Sequence, residues 1–107
     1  MKYTKGTFYG HFRRKESEAE EAPFVDFCKK IEGWIVKDLG IAFNKQNSHW
    51  GCTDIKSGYL IHTDTTRKDC AEWVEIHWNL VEKTRKMDNY SELCEQLDKL
   101  IKEEKYE

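Results

Sequence analysis

Histidine, cysteine and aspartate side chains in the middle of the sequence are of the types that coordinate metals: His49, His62, His77, Cys52, Cys70 and Asp54. Imidazole and thiolate groups together suit zinc. No two of these residues have a spacing diagnostic of a metal site, and the four cysteines include no C-x-x-C pair. We therefore predict no metal and no other cofactor, with the cysteines packed as small apolar side chains.

Catalytic chemistry is poorly supported by the remaining polar residues. A nucleophilic cysteine needs a partly exposed thiolate beside a base, whereas Cys52 and Cys70 fall on faces predicted to be buried. The acidic residues of 16–21 lie in a predicted loop, where no apolar pocket separates the pKa values of two carboxylates. The sequence contains no glycine-rich phosphate loop and no GxSxG motif. We predict that the protein is not an enzyme, with no catalytic residue and no small-molecule substrate.

The composition limits the classes of partner and compartment. With 107 residues the chain is long enough for one domain, and its formal net charge of −2 provides no global attraction to nucleic acid or to anionic lipid. The first ten residues lack the apolar core of a signal peptide, and no run approaches the roughly 18 apolar residues of a membrane span. The sequence therefore predicts a cytoplasmic protein with reduced cysteines and no membrane partner.

The elements that must position these residues form, by pattern, a single α+β domain over 1–107. Aromatic, β-prone residues predict a strand within 1–12, and a charged linker follows at 13–22. Apolar residues at helical spacing over 23–39 predict a helix. A competing interpretation ends this helix at Glu32 and starts a strand at Trp34.

Residues 41–62 predict an antiparallel meander with short turns, its strands being Ile41 to Lys45, His49 to Ile55 and Tyr59 to His62. Thr65 or Thr66 is predicted to cap the start of a long helix, with Asp69 three residues after Thr66. A further helix is predicted within 89–105. The expected order is β-α-β-β-β-α-α, with an antiparallel sheet of three to four strands packed against the helices and an α-β-β-β-α core over 23–85.

The order helix, three strands, helix is similar to that of double-stranded RNA-binding domains. The segment Thr66 to Ala71 resembles the basic start of that family's second helix. The resemblance implies that Arg67 and Lys68 contact phosphates, and that Lys29 and Lys30 lie on the helix that meets the minor groove. The Gly-Pro pair that precedes the family's loop histidine is absent here. RNA binding is therefore the alternative function.

A second resemblance lies in the segment Trp50 to Tyr59 together with Thr65 to Asp69. A tryptophan-bearing strand, a Ser-Gly turn and a threonine-capped helix are similar to a small module in accessory proteins of Gram-positive phages and mobile elements. The resemblance implies a non-enzymatic accessory protein, some of which bind and disable host defence proteins.

Protein binding is the function that these observations favour. Four tryptophans are many for a chain of this length, and exposed aromatic residues ringed by charge mark interaction sites. We predict an interaction module that binds a host protein or a second copy of itself. The predicted binding residues are Trp50, Tyr59, Arg67 and Lys68, around the meander and the start of the long helix.

Overall fold

The structure, a computed structural model, describes residues 1–106. Five strands pair in chain order in one antiparallel sheet: β1 (Thr4–Lys15), β2 (Phe24–Val36), β3 (Ile41–Gln46), β4 (His49–Asp54) and β5 (Leu60–Asp64). Three helices follow: α1 (Arg67–Ile76), α2 (Trp78–Arg85) and α3 (Tyr90–Lys102). The predicted α+β class is confirmed, but the sheet has five strands rather than three to four.

The predicted helix over 23–39 is wrong, because this segment forms β2 and a short 3-10 turn over Lys37–Leu39. Phe27 and Cys28 are adjacent and point to opposite faces of the strand, yet they are only 9% and 0% exposed. Because both faces of β2 are covered, its apolar residues do not alternate with polar ones and recur at helix-like intervals. The competing interpretation correctly placed a strand at Trp34 but wrongly kept a helix before it.

The long β1–β2 hairpin also corrects the predicted N-terminal strand and linker. β1 continues through 13–15, and it pairs with β2 from Thr4 opposite Ile35 to Lys15 opposite Phe24. The predicted charged linker at 13–22 therefore shortens to the connection 16–23 at the tip of the hairpin.

The predicted meander is confirmed, with turns at the expected positions. Asn47 and Gly58 adopt positive φ angles of 52° and 75°, which asparagine and glycine tolerate better than other residues. The register places Phe43 opposite Cys52 and Ile41 opposite Asp54, so these four side chains share one face of the sheet.

The predicted long helix is two helices, because His77 (φ −104°, ψ 23°) leaves the helical conformation between α1 and α2. The ring N–H of His77 donates to the Trp73 carbonyl oxygen at 2.9 Å and so caps the end of α1. The predicted Thr66 cap is confirmed, since its side chain accepts a hydrogen bond from the Asp69 N–H at 3.0 Å. The last predicted helix is also confirmed, as α3.

The core lies between α1 and the strands β3 and β4, and α3 covers part of β2. Its buried members are Val36, Ile41, Phe43, Cys52, Cys70, Ala71 and Val74. Among residues 1–106, no helix combines the length and apolarity that a membrane crossing requires.

Candidate functional site

A buried carboxylate joins the sheet to α2 and α3. The Asp54 side chain, at the end of β4, accepts hydrogen bonds at 2.9 and 2.8 Å from the Arg85 Nε and Nη2 groups. Its other oxygen accepts from the Tyr90 hydroxyl at 2.7 Å, and from the Ser57 backbone N–H and hydroxyl at 3.1 and 2.6 Å. Arg85 also donates to the carbonyl oxygen of Leu39 at 2.7 Å. This network fixes how the helices sit against the end of β4.

The electrostatics of this network favour an ionised aspartate. Burial by itself would raise the pKa of Asp54, but the hydrogen bonds from Ser57, Tyr90 and Arg85 together hold this pKa below its ordinary value. Burial, and then the hydrogen bond to Asp54, raise the pKa of Tyr90, so the tyrosine stays protonated and donates. The Asp54 carboxylate is therefore a structural negative charge, and both of its oxygens accept hydrogen bonds within the network.

An apolar groove of about 330 Å³ opens above this network, between the start of β5 and the helices. Its apolar lining comes from the β5 region and all three helices: Tyr59, Leu60, Ile61, Trp73, Leu80, Val81 and Leu93. Tyr59 is 38% exposed and Leu80 is 47% exposed, so the walls of the groove lie partly in water. Apolar walls of this kind are typical of a binding site.

The polar groups of the groove are already paired with one another. Asp54, Ser57, Tyr90 and Arg85 satisfy each other, and the Thr84 hydroxyl donates to the Leu80 carbonyl oxygen at 2.9 Å. A polar ligand would have to break these hydrogen bonds to gain its own. The groove therefore suits an apolar side chain better than a polar substrate.

The groove lies beside an outer strand of the sheet. β5 pairs with β4 on one side, and its other edge pairs with no other described strand. An unpaired edge can accept an extended segment of another chain as an additional strand. A segment on this edge would place some of its side chains next to Leu60 and the groove.

Two of the predicted binding residues meet in a second cluster. The Arg67 guanidinium carbon lies 5.0 Å from the ring centroid of Tyr3, and 5.9 Å from the ring centroids of both Trp34 and Trp50. Distances of this size allow cation–π attraction to all three rings. Lys68, the next residue of α1, is exposed.

The other predicted residues lie apart from this cluster. Tyr59 belongs to the turn after β4, at the opposite end of that strand from Trp50, and its ring lies 4.9 Å from the His11 ring. Lys29 and Lys30 are exposed on β2 rather than on a helix. Lys29 lies over the Phe12 ring at 5.6 Å, on the face of β2 opposite to Trp34.

The candidate metal ligands do not converge: residues 1–106 contain no group of three or more histidine, cysteine, aspartate or glutamate side chains arranged to hold an ion. The His62 and His77 rings instead both stack on Trp73, at centroid distances of 4.1 and 4.2 Å. All four cysteines are buried and free. Burial raises the pKa of Cys52, and it raises the pKa of Cys70 to about 11, so neither thiol is a thiolate near neutral pH.

Sequence reasoning missed the groove and the network beneath it. Arg85 and Tyr90 were unremarkable charged and aromatic residues at the ends of predicted helices. One signal was available in the predicted long helix, because its apolar residues from Cys70 to Val81 cover an arc that is too wide for a single contact surface. Leu80 lies on that arc and faces the groove.

Comparisons with models of protein families, with curated proteins and with solved structures give no significant match to this chain.

Proposed function

We propose that this protein is a non-enzymatic interaction module that binds an extended, apolar segment of a partner protein in the groove between β5 and the helices. The observation that carries the proposal is an apolar groove with a half-exposed leucine, Leu80, in its wall and an internally satisfied polar floor. The resemblance to accessory proteins of phages and mobile elements predicts that the partner is a host protein.

The expected mode of binding combines an edge and a pocket. Backbone groups of the partner segment pair with the open edge of β5, which gives affinity with little dependence on sequence. An apolar side chain of the segment enters the groove and covers the exposed part of Leu80. Full burial of one leucine is worth about 1.5–3 kcal/mol, so covering the half-exposed Leu80 contributes about 1 kcal/mol.

A random-peptide display library selected on the immobilised protein tests this proposal. We expect the wild type to enrich peptides with a large apolar residue in an extended context. Leu80→Asp puts a charge into the groove wall and should abolish this enrichment. Glu82→Gln is the matched control, because Glu82 is exposed on the same helix and does not line the groove.

The selection has two outcomes against the proposal. Equal enrichment on the wild type and on folded Leu80→Asp would place binding elsewhere on the surface. Failure of the folded wild type to enrich any peptide family would remove the support for a groove that binds protein segments. Circular dichroism of each variant establishes that it is folded.

RNA binding, the alternative function, has less support in the arrangement of its residues. Arg67 sits against Trp34, whereas Lys29 lies five residues away along β2 and on the opposite face. The four basic residues assigned to RNA therefore do not all lie on one face of the sheet, although Lys30 shares the face of Trp34. A gel shift with duplex RNA at low salt, where phosphate contacts are strongest, remains its direct test.

A further inference from the structure

The three aromatic rings around Arg67 form a cage for a cation. Tyr3, Trp34 and Trp50 come from the N-terminal segment, β2 and β4, and the Arg67 guanidinium carbon lies 5.0, 5.9 and 5.9 Å from their ring centroids. The electron-rich face of an aromatic ring attracts a positive charge within about 6 Å of its centroid. A cation at this position is therefore attracted by three rings at once.

Contacts with the core hold the walls of this aromatic cage in place. The Tyr3 ring packs edge-on against the Phe43 ring, at a centroid distance of 5.7 Å. Trp34 lies directly opposite Phe43 in the register of β2 and β3, and Trp50 packs against the buried core cluster. Because the three rings are half-buried and anchored in this way, the cage exists before any ligand enters it.

Arg67, which occupies the cage, is weakly held. It is exposed at the start of α1, and its guanidinium forms no hydrogen bond or ion pair within residues 1–106. The Arg85 guanidinium, by contrast, donates to the Asp54 carboxylate and to the Leu39 carbonyl oxygen. Exposed cation–π contacts are weak. The Arg67 side chain can therefore leave the rings for water without breaking a hydrogen bond to the protein.

The rim of the cage carries charges of both signs, namely Lys5, Lys45, Lys68, Glu32 and Glu75. Burial is the main cause that raises the pKa of the Tyr3 hydroxyl, while Arg67 lowers this pKa and Glu75 raises it, so both charges act at this ring. Exchange of the Arg67 guanidinium for another cation leaves the balance of the rim unchanged. The rings, rather than the rim, therefore decide which cation is bound.

A methylated ammonium group suits the cage better than a guanidinium or a primary ammonium does. Guanidinium and primary ammonium groups give up hydrogen bonds to water when they enter an aromatic site. A quaternary ammonium has no N–H group to desolvate, and its methyl groups make apolar contact with the rings while its charge is attracted to their faces.

We propose that the aromatic cage binds a methylated ammonium group, on a lysine side chain or in a small quaternary ammonium ion, which displaces the Arg67 side chain from the rings. None of the three rings lines the groove beside β5, and the inference does not depend on the proposed function. In the absence of such a ligand, Arg67 covers the rings.

Titrations of isotopically labelled protein at constant ionic strength, followed by the indole N–H signals of Trp34 and Trp50, test this site. The probes are tetramethylammonium chloride, a short glycine–serine peptide with one trimethyllysine, and the same peptide with an unmodified lysine. We expect saturable shifts of both indole signals with the methylated probes. The unmodified peptide should bind about tenfold more weakly or not at all.

Arg67→Ala separates displacement from simple association. This variant removes the internal competitor, so the methylated probes should bind about fivefold more tightly than to the wild type. Lys68→Ala is the matched control, because it removes the neighbouring exposed cation, for which no ring contact is found within residues 1–106, and it should leave binding within about twofold of the wild type.

Removal of one wall should abolish the binding gained in Arg67→Ala. Trp50→Leu in that background keeps an apolar side chain against the core and leaves Trp34 as the reporter. Tyr3→Leu in the same background is the second wall variant, and it serves alone if Trp50→Leu does not fold by circular dichroism.

Two patterns of affinity support the site and identify the source of the group. Tighter binding of the trimethyllysine peptide than of tetramethylammonium assigns the cage to a methylated lysine of a protein, and equal affinities assign it to a small ion. The proposal is overturned if folded Arg67→Ala gives no saturable indole shifts with either methylated probe. Equal binding of the methylated and unmodified peptides overturns it, and so does equal tightening by Lys68→Ala and Arg67→Ala.

Discussion

Replacement of Asp54 by asparagine removes the charge from the network that joins β4, α2 and α3 while nearly keeping the side-chain shape. The aspartate is 5% exposed and receives hydrogen bonds from Arg85, Tyr90 and Ser57. An asparagine offers one acceptor oxygen, so its NH₂ group must face a donor, and the Arg85 guanidinium loses its counter-charge.

The expected loss of stability is about 3 kcal/mol. Removing one partner of a fully buried ion pair costs about 3–5 kcal/mol, and the 27% exposure of the Arg85 side chain places this pair at the lower end. Urea unfolding followed by tryptophan fluorescence measures this loss of stability. We expect a lower midpoint and an unchanged dependence of the unfolding free energy on urea concentration. Asp98→Asn, an exposed aspartate of α3, is the control and should change stability by less than about 0.5 kcal/mol.

The same pair of proteins gives a pH test. Because the folded-state pKa of Asp54 is lowered, its stabilising effect is fully present above the ordinary carboxyl pKa and is lost as the pH falls toward the folded-state value. The stability difference between wild type and Asp54→Asn should therefore be constant from about pH 7 to about pH 5 and shrink below about pH 4. A loss below about 1 kcal/mol at neutral pH, or a difference that grows in acid, would refute the reasoning.

Three further predictions test other parts of the structure. Gly33→Ala should destabilise the fold by about 2 kcal/mol in urea unfolding, because an added Cβ would overlap the Phe43 carbonyl oxygen; a neutral substitution contradicts the close approach of β2 and β3. The four buried thiols should react with a disulfide reagent near pH 8 only as fast as the protein opens, since burial raises the pKa of Cys70 to about 11; rapid labelling of native protein contradicts this. Arg67→Met should lower stability by about 1 kcal/mol, with Arg67→Lys in between, if the cation–π contacts hold the N-terminal segment; equal midpoints for all three proteins contradict it.

Local signals were sufficient for the turns of the meander and for the start of α1. The turns at Asn47 and Gly58 and the cap at Thr66 depend on residues within four positions of each other, and each lies where the sequence predicted it. The break at His77 could not be predicted, because the apolar pattern runs on through it and only the ring's hydrogen bond to Trp73 marks the end of α1.

The helix predicted over the β2 segment was wrong because the burial of β2 is set by distant parts of the chain. Phe27 is covered on one face of the strand and Cys28 on the other, so the alternation that identifies a half-buried strand is missing. Gly33 and the β-branched run after Trp34 were correct local signals for a strand. They were outweighed by an apparent helical period that arises from burial on both faces.

The candidate sites were likewise predictable only where they depend on residues that the sequence pattern places close together. The sequence identified Trp50 and Arg67, which do meet, but it could not bring Tyr3 and Trp34 to the same guanidinium. The groove depends on residues separated by more than 30 positions, such as Leu60 and Leu93, and on the Asp54 network that joins α2 and α3 to the end of β4. Only the assembled fold places these residues together.

Amide chemical shifts show residue by residue whether the groove beside β5 binds a protein segment. A display-selected peptide is titrated into isotopically labelled protein while the shifts and the hydrogen exchange of the backbone are recorded. We expect shifts confined to β5 and to the groove-lining parts of the helices, with slower exchange along the outer edge of β5. Shifts centred instead on the hairpin or on the Arg67 cluster, with no change in β5 exchange, would contradict it.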